Sequence, residues 1–408
     1  MTGQKTLSLQ KRFWKPIQSN YIMVKKYLFF DTTWNQILRV GSLVSKEMKD
    51  IADVQTYGLV FETSGKKVEP AKNKQYFDDY LVTTDIYEVE SFISKVKPDV
   101  AVFAQNTTPD LGAIYFAQKV GAKIVMMQHG LLYDGASLNN VRIGEIFAAL
   151  KMAKKTISYF NIMHVMCKKE KKSFIKLVKN IISEKENVTT TVQNYFNPPL
   201  RGEFAFVIGE HWRDYYHDSY GYDKDSIYIM GNHDLDDLDM NAEIEDAICY
   251  IPSVHVEDGK VQKDVFDNYL KCLKASIPTS TKMYVKLHPR SNKKLYTDIL
   301  GEENIIYISG KELPYVNIYI GHNSSLLSKA LQISGKLILW GFKEEKDLFY
   351  KDFAYAVCHD GESLKEAVAK ALDDKGNGRK NDIERFSYRN PIGAYKYCAT
   401  KILDLYNK

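Results

Sequence analysis

The sequence predicts an α/β protein of two Rossmann-like domains facing each other across a cleft. Three observations lead there. Short apolar strands alternate with amphipathic helices along most of the chain, which is the rhythm of parallel βαβ units. The 408 residues suffice for two cores at about 100–200 residues each. Two strands of the second half, in Met283–Ser291 and Tyr319–Leu331, break into polar turns. Such turns bind ligands at the carboxyl edge of an open sheet.

Residues 1–20 are polar and basic and read as an N-terminal arm. The first domain, 21–232, opens with a strand at Tyr27–Asp31 and an amphipathic helix at Asn35–Asp50, apolar at Ile37, Leu38, Val40, Leu43, Val44 and Met48. A strand at Thr56–Phe61, a helix at Asp85–Val96, a strand at Asp99–Ala104 and a helix at Pro109–Val120 follow. Gly121 closes that last helix. The strand Lys123–Gln128 ends in Gln128-His129-Gly130. From 151 to 185 the pattern turns basic, with nine lysines from Lys151 to Lys179 interleaved with Ile157, Phe160, Phe174, Ile175 and Ile182. This insertion fits an element lying on anionic lipid or holding an acidic acceptor, and equally a packed helix with a solvated face. Asn187–Leu200 reads as a loop. A strand at Phe204–Gly209, a helix at His211–Tyr220 and a strand at Ser226–Gly231 complete the domain, and acidic Asn232–Asp239 is the linker.

The second domain, 233–390, has strands at Ala247–Pro252, Met283, Ile318 and Gly335–Trp340, helices at Asp264–Ser276 and Ser363–Leu372, and an exposed loop at Asp373–Asn381. A final helix in 391–408 is long enough to pack back on the first domain.

Composition narrows the function. Apolar residues make up 45% and charged residues 26%, a globular balance. The net charge of +5 is mild for this length and argues against a nucleic-acid partner. The five cysteines are scattered and never form a Cys-x-x-Cys pair, so neither a zinc site nor a disulfide framework is expected. No Asp-x-Asp metal site is read, and no cofactor is expected. With no run of about 18 apolar residues and no signal core at the N-terminus, the expected location is cytoplasmic, at most peripheral on the inner face of the plasma membrane.

The candidate site gathers at three strand exits. After Met283–Lys286, Pro289 fixes the turn behind His288, and Lys286, His288 and Arg290 offer contacts to a phosphate. After Tyr319–Gly321, Ser324 and Ser325 stand where N-cap hydroxyls sit ahead of a helix. His129 is either a general base near neutral pH or a hydrogen-bonded loop histidine. Asp110 and Asp134 are rival bases, or partners that orient its ring.

Two α/β halves, a His-Pro motif at His288-Pro289, a downstream Ser324-Ser325 and a Gly motif ending a first-domain strand resemble bacterial GT-B glycosyltransferases. The closest branches are sialyltransferases and polysialyltransferases using CMP-activated sugars, and CDP-glycerol glycerophosphotransferases. The resemblance covers residues 100 to 340 as an order of motifs, with Gly231-Asn232 similar to the interdomain turn. It implies that His288, Ser324 and Ser325 hold CMP and its phosphate. The carboxylate base of the sialyltransferases is replaced by His129, while Glu257-Asp258-Gly259 spells their motif in the wrong domain. The implied enzyme is an inverting, metal-independent glycosyltransferase. It moves a nonulosonic sugar from a CMP-activated donor to a glycan or lipid-linked acceptor of a capsule or lipooligosaccharide, with 21–232 as acceptor domain and 233–390 as donor domain. The alternatives are a CDP-polyol phosphotransferase of teichoic-acid-like synthesis, and a sugar-nucleotide epimerase or non-catalytic sugar-binding protein.

Overall fold

The computed structural model describes residues 24–32, 37, 40–62, 72–103, 107–128, 130, 146–183, 188–257, 259, 261–310, 312–322, 324–341, 350–376 and 382–405, with the backbone alone at 72–73 and 146–155. Seven strands form the first sheet: β1 (Lys25–Asp31), β2 (Val54–Phe61), β3 (Asp79–Thr83), β4 (Val100–Phe103), β5 (Lys123–Met127), β6 (Phe204–Val207) and β7 (Ile227–Ile229). They are parallel throughout, in the order β3-β2-β1-β4-β5-β6-β7. The second sheet holds β8 (Glu245–Ile251), β9 (Met283–Lys286), β10 (Ile305–Ile308), β11 (Val316–Gly321), β12 (Leu337–Trp340) and β13 (Ala356–Cys358). It too is parallel, in the order β10-β9-β8-β11-β12-β13. Both are doubly wound, and the strand order reverses between β1 and β4 and between β8 and β11.

Parallel sheets carry helices on both faces, so their central strands are apolar without alternation. Leu28, Phe29 and Phe30 of β1 and Val100–Phe103 of β4 are buried on both faces. Each valine, leucine and phenylalanine among them contributes roughly 1.5–3 kcal/mol of burial. The helix Ile86–Val96 starts where Asp85 accepts a hydrogen bond from the Tyr87 N–H. It buries Ile86, Val89, Phe92, Ile93 and Val96 at helical spacing and stops at Lys97, whose φ is 49°.

The departures from the sequence reading have local causes. Asn187–Leu200 is not all loop: Val188–Tyr195 is helical, because Thr191, Val192 and Gln193 bury themselves in a helix that packs against the helix Thr108–Lys119. Tertiary packing here overrides the weak helix preference of three threonines. The basic insertion consists of two helices, Ile146–Lys169 and Phe174–Ser183, broken near Lys171, whose φ is 53°. Strands β3, β10 and β13 and the helix Lys293–Leu300 are additional elements.

The domains meet where β7 leaves the first sheet. Gly231 has φ 88°, and a Cβ there would lie 2.9 Å from the Asn390 Cβ and 3.0 Å from the Tyr388 carbonyl oxygen, so only glycine fits. Asn232 follows; its side-chain N–H donors reach the hydroxyls of Ser328 (3.1 Å) and Ser387 (2.9 Å). The returning segment threads beside this crossing, with Tyr388 N–H on the Ile208 carbonyl (3.0 Å) and Trp212 Nε1–H on the Phe386 carbonyl (2.9 Å). Gly209 makes room for it, since a Cβ there would stand 2.5 Å from the Arg385 carbonyl oxygen. The helix Ala394–Leu405, its first N–H held by the Asp236 carboxylate, then packs on the helix Gly41–Ile51 of the first domain.

Candidate functional site

In a doubly wound sheet the loops diverge at the point where strand order reverses, leaving a crevice outside the strand carboxyl ends. Histidines stand at that point in the second domain. β8 runs through Ile251 to His255, and β11 runs through Gly321 to His322; both histidines are buried. His322 is completely enclosed, with its ring stacked on Trp340 (centroids 5.8 Å, 21°) and edge-on to His255 (5.4 Å, 88°). Its Nδ1 meets the Trp340 carbonyl and its Nε2 meets the Tyr250 hydroxyl at 2.9 Å. A carbonyl only accepts, so Nδ1 carries the proton and Nε2 accepts from Tyr250. Burial, reinforced by His255, pushes the His322 pKa down to about 3. His322 is thus a neutral strut packed edge-on against the ring of His255.

The sequence-named residues flank this pair. β9 pairs with β8, so His288 emerges one strand over; it is exposed, as are Pro289 and Arg290. The His288 Nδ1 accepts the Arg290 N–H at 3.1 Å, so a neutral ring carries its proton on Nε2, away from the turn. Lys286 points inward instead: it is buried, its ammonium donates to the Gly310 carbonyl at 2.6 Å, and burial lowers its pKa. On the other side, the Ser324 hydroxyl accepts the Leu326 N–H at 3.3 Å, and Ser325 is exposed at the same turn. The sequence reading overlooked His255 and His322. The signal was present, since each follows a strand as His288 does.

In the first domain, His129 and Asp134 lie outside the described residues. Beside His129 the turn is clamped by Gln128, whose side chain donates to the Gly130 carbonyl at 2.9 Å and accepts the Ile208 N–H at 3.1 Å. Asp110 is fully buried at the start of the helix Thr108–Lys119, where one carboxylate oxygen takes both the N–H and the hydroxyl of Thr107 in a capping box. Its other oxygen has no hydrogen-bond partner among the described residues. Burial, with Asp31 nearby, holds its pKa well above the usual carboxylate range. Asp110 follows β4 and Asp31 ends β1, so these two carboxyls occupy the reversal point of the first sheet.

Two cavities lie away from this edge. One of about 510 Å³ opens between the helices Phe174–Ser183 and Val188–Tyr195, and one of about 310 Å³ is lined by His211, Asp352 and Arg385 at the domain junction. Among the described residues no group of three or more His, Cys, Asp or Glu is placed to hold a metal ion, and no helix is long and apolar enough to cross a membrane.

No protein-family model matches the chain, and no curated protein sequence matches it. Solved structures do. The UDP-GlcNAc 2-epimerase of Methanocaldococcus jannaschii is similar over 94% of this chain and 100% of its own, at 13% identity and a TM-score of 0.51. The UDP-N-acetylglucosamine 2-epimerase of Rickettsia bellii is similar over 94% and 97%, at 14% identity and 0.50. A lipopolysaccharide outer core galactosyltransferase is similar over 94% and 100%, at 11% identity and 0.50. The chain therefore has the GT-B fold, two Rossmann-like domains across a cleft. The expected CMP-activated nonulosonic donor is corrected by these neighbours, which are mostly UDP-GlcNAc 2-epimerases, one of them in complex with UDP-GlcNAc and UDP. The cytidine reading rested on His288, Ser324 and Ser325. Groups that meet a phosphate do not distinguish cytosine from uracil.

Proposed function

We propose that this chain is a sugar-nucleotide enzyme that holds a UDP-activated sugar at the carboxyl edge of its second sheet and inverts one ring carbon of it. The observation that carries this reading is the placement of His255, packed against His322, at the β8/β11 reversal point, between exposed His288 and the Ser324 turn. An epimerase needs a phosphate seat and acid/base groups around a single bound sugar, with no separate acceptor. The UDP-GlcNAc 2-epimerases among the structural neighbours support that choice.

Inversion at a carbon beside the anomeric centre needs a proton removed from one face and returned to the other. That hydrogen is not acidic while the anomeric carbon stays bonded to the nucleotide. Its loss is therefore coupled to departure of the diphosphate, which leaves a double bond between the two carbons; the diphosphate then re-forms its bond on the original face of the anomeric carbon while a proton is delivered to the opposite face of its neighbour. His288, Ser324 and Ser325 meet the charge that develops on the diphosphate, as preorganised donors do. His255 and, from the facing domain, His129 are the groups assigned to proton transfer.

The test is proton NMR of UDP-GlcNAc with the enzyme in D2O. Deuterium at carbon 2 together with a second isomer is the expected result. UDP release that requires an added sugar acceptor would instead establish glycosyl transfer, the reaction of the galactosyltransferase neighbour. No change under either condition defeats both.

A further inference from the structure

The helix Phe174–Ser183 turns an apolar and basic face to solvent that the site above does not use. Its inner face is already served: Leu177 is buried, and Phe174 and Ile181 pack on the core. Yet Ile175 is 69% exposed and Ile182 79% exposed, seven residues apart on the outer face, with Lys179 between them and Lys176 beside Ile175. The adjoining helix Ile146–Lys169 extends the face with Ile157 (68% exposed) and Phe160 (40% exposed). The Phe160 and Phe174 rings meet edge to face at 6.1 Å, so the two helices are joined beside this face. Exposed single apolar residues are ordinary, whereas a contiguous apolar patch rimmed by charge of one sign marks a docking face.

Charge decides what docks there. Residues 146–195 contain ten lysines and three glutamates, a net +7, while the whole chain carries +5, so the remainder is −2. Nearly all of the positive character of the protein is concentrated on this excursion. We propose that this face docks on an anionic lipid bilayer, with Ile175, Ile182, Ile157 and Phe160 entering the headgroup–acyl boundary and Lys176 and Lys179 meeting lipid phosphates. The 510 Å³ cavity beside the same helix is polar and shares Lys176 with this face, with Lys172, Asn180 and Asn194 also in its lining. A second copy of the chain would set the same positive surface against itself, and a nucleic acid would leave the isoleucines in water. The inference is independent of the reaction proposed above.

The experiment is sedimentation of the full chain with vesicles of phosphatidylcholine alone and of phosphatidylcholine mixed with phosphatidylglycerol. Binding is expected only to the mixed vesicles and should weaken as salt rises. Ile175→Asp with Ile182→Asp should lower the partition coefficient more than about tenfold, since each isoleucine loses its apolar transfer. Lys176→Gln and Lys179→Gln should each lower it about fivefold at low salt. Ile392→Asp, at an exposed apolar position on the C-terminal segment, should change nothing. Equal binding to phosphatidylcholine alone, no binding to either vesicle, or full binding by an Ile175→Asp/Ile182→Asp protein with native circular dichroism overturns the proposal. Vesicle-free dimers abolished by the same pair of changes overturn it in favour of a second copy.

Discussion

Replacing His322 by glutamine removes a titration from the interior of the second domain, and the consequence has a definite sign. In the folded protein burial holds His322 neutral down to about pH 3, while the unfolded chain takes up its proton near 6.5. Below 6.5 the unfolded state therefore binds more protons, so the stability present above that pH is lost as pH falls toward the folded value. The slope is about 1.4 kcal/mol per pH unit, or about 2 kcal/mol by pH 5. His322→Gln should itself cost about 1–3 kcal/mol at pH 7.5, because an amide cannot serve both the Tyr250 hydroxyl and the Trp340 carbonyl as the imidazole does. Urea unfolding of both proteins at pH 7.5 and pH 5 separates the two effects. The wild type should lose about 2 kcal/mol more than the variant over that interval. Titrating groups away from this ring pair are common to both proteins and cancel in the difference. Equal losses would mean that the ring is protonated in the folded state, and the assignment of His322 as a neutral strut would fall.

Asp110 has the opposite sign. Its folded pKa is raised by burial, so the stability it contributes in acid is lost as pH rises from 3.8 through the raised value. Asp110→Asn should then gain on the wild type at pH 7 and not at pH 3, and the reverse order in thermal unfolding refutes this. Gly231→Ala forces a side chain into φ 88° and against Asn390, and should cost about 1–3 kcal/mol in denaturant unfolding. Gly130→Ala, with nothing within 4 Å of its Cβ among the described residues, is the matched control and should stay within about 0.5 kcal/mol. His288→Ala, at an exposed position, should leave intrinsic stability nearly unchanged and shrink the rise in Tm produced by UDP. An undiminished rise removes His288 from the nucleotide seat.

Central strands were legible because parallel sheets bury them on both faces, as in Leu28–Phe30 and Ile248–Ile251. The strands not read, β3, β10 and β13, are all sheet edges, where Asp79, Ile306 and Val357 are exposed and the apolar run is diluted. At the site, His288 and Ser324 were legible as polar residues directly after strands. The inward turn of Lys286 onto Gly310 was not, because it depends on the neighbouring β10 exit. The pairing of His255 with His322 depends on β8 and β11 being adjacent, a contact between chain segments more than sixty residues apart that no local pattern encodes. Nucleotide identity was misread for a different reason. The legible residues were read for a phosphate, a group common to cytidine and uridine nucleotides, so their spacing carried no information on the base.

The return of the helix Ala394–Leu405 to the first domain bears on how the chain is made. The helix Gly41–Ile51, on which it packs, leaves the ribosome roughly 340 residues before its cover does. At 5–20 residues per second the gap is roughly 20–70 s, during which the nascent first domain presents an apolar face with nothing on it. Lys123, which donates to the Leu405 carbonyl at 2.9 Å, waits equally long for its acceptor. The first domain thus completes its fold only after translation of the second, and a chain cut before Ala394 would display that face for its whole lifetime.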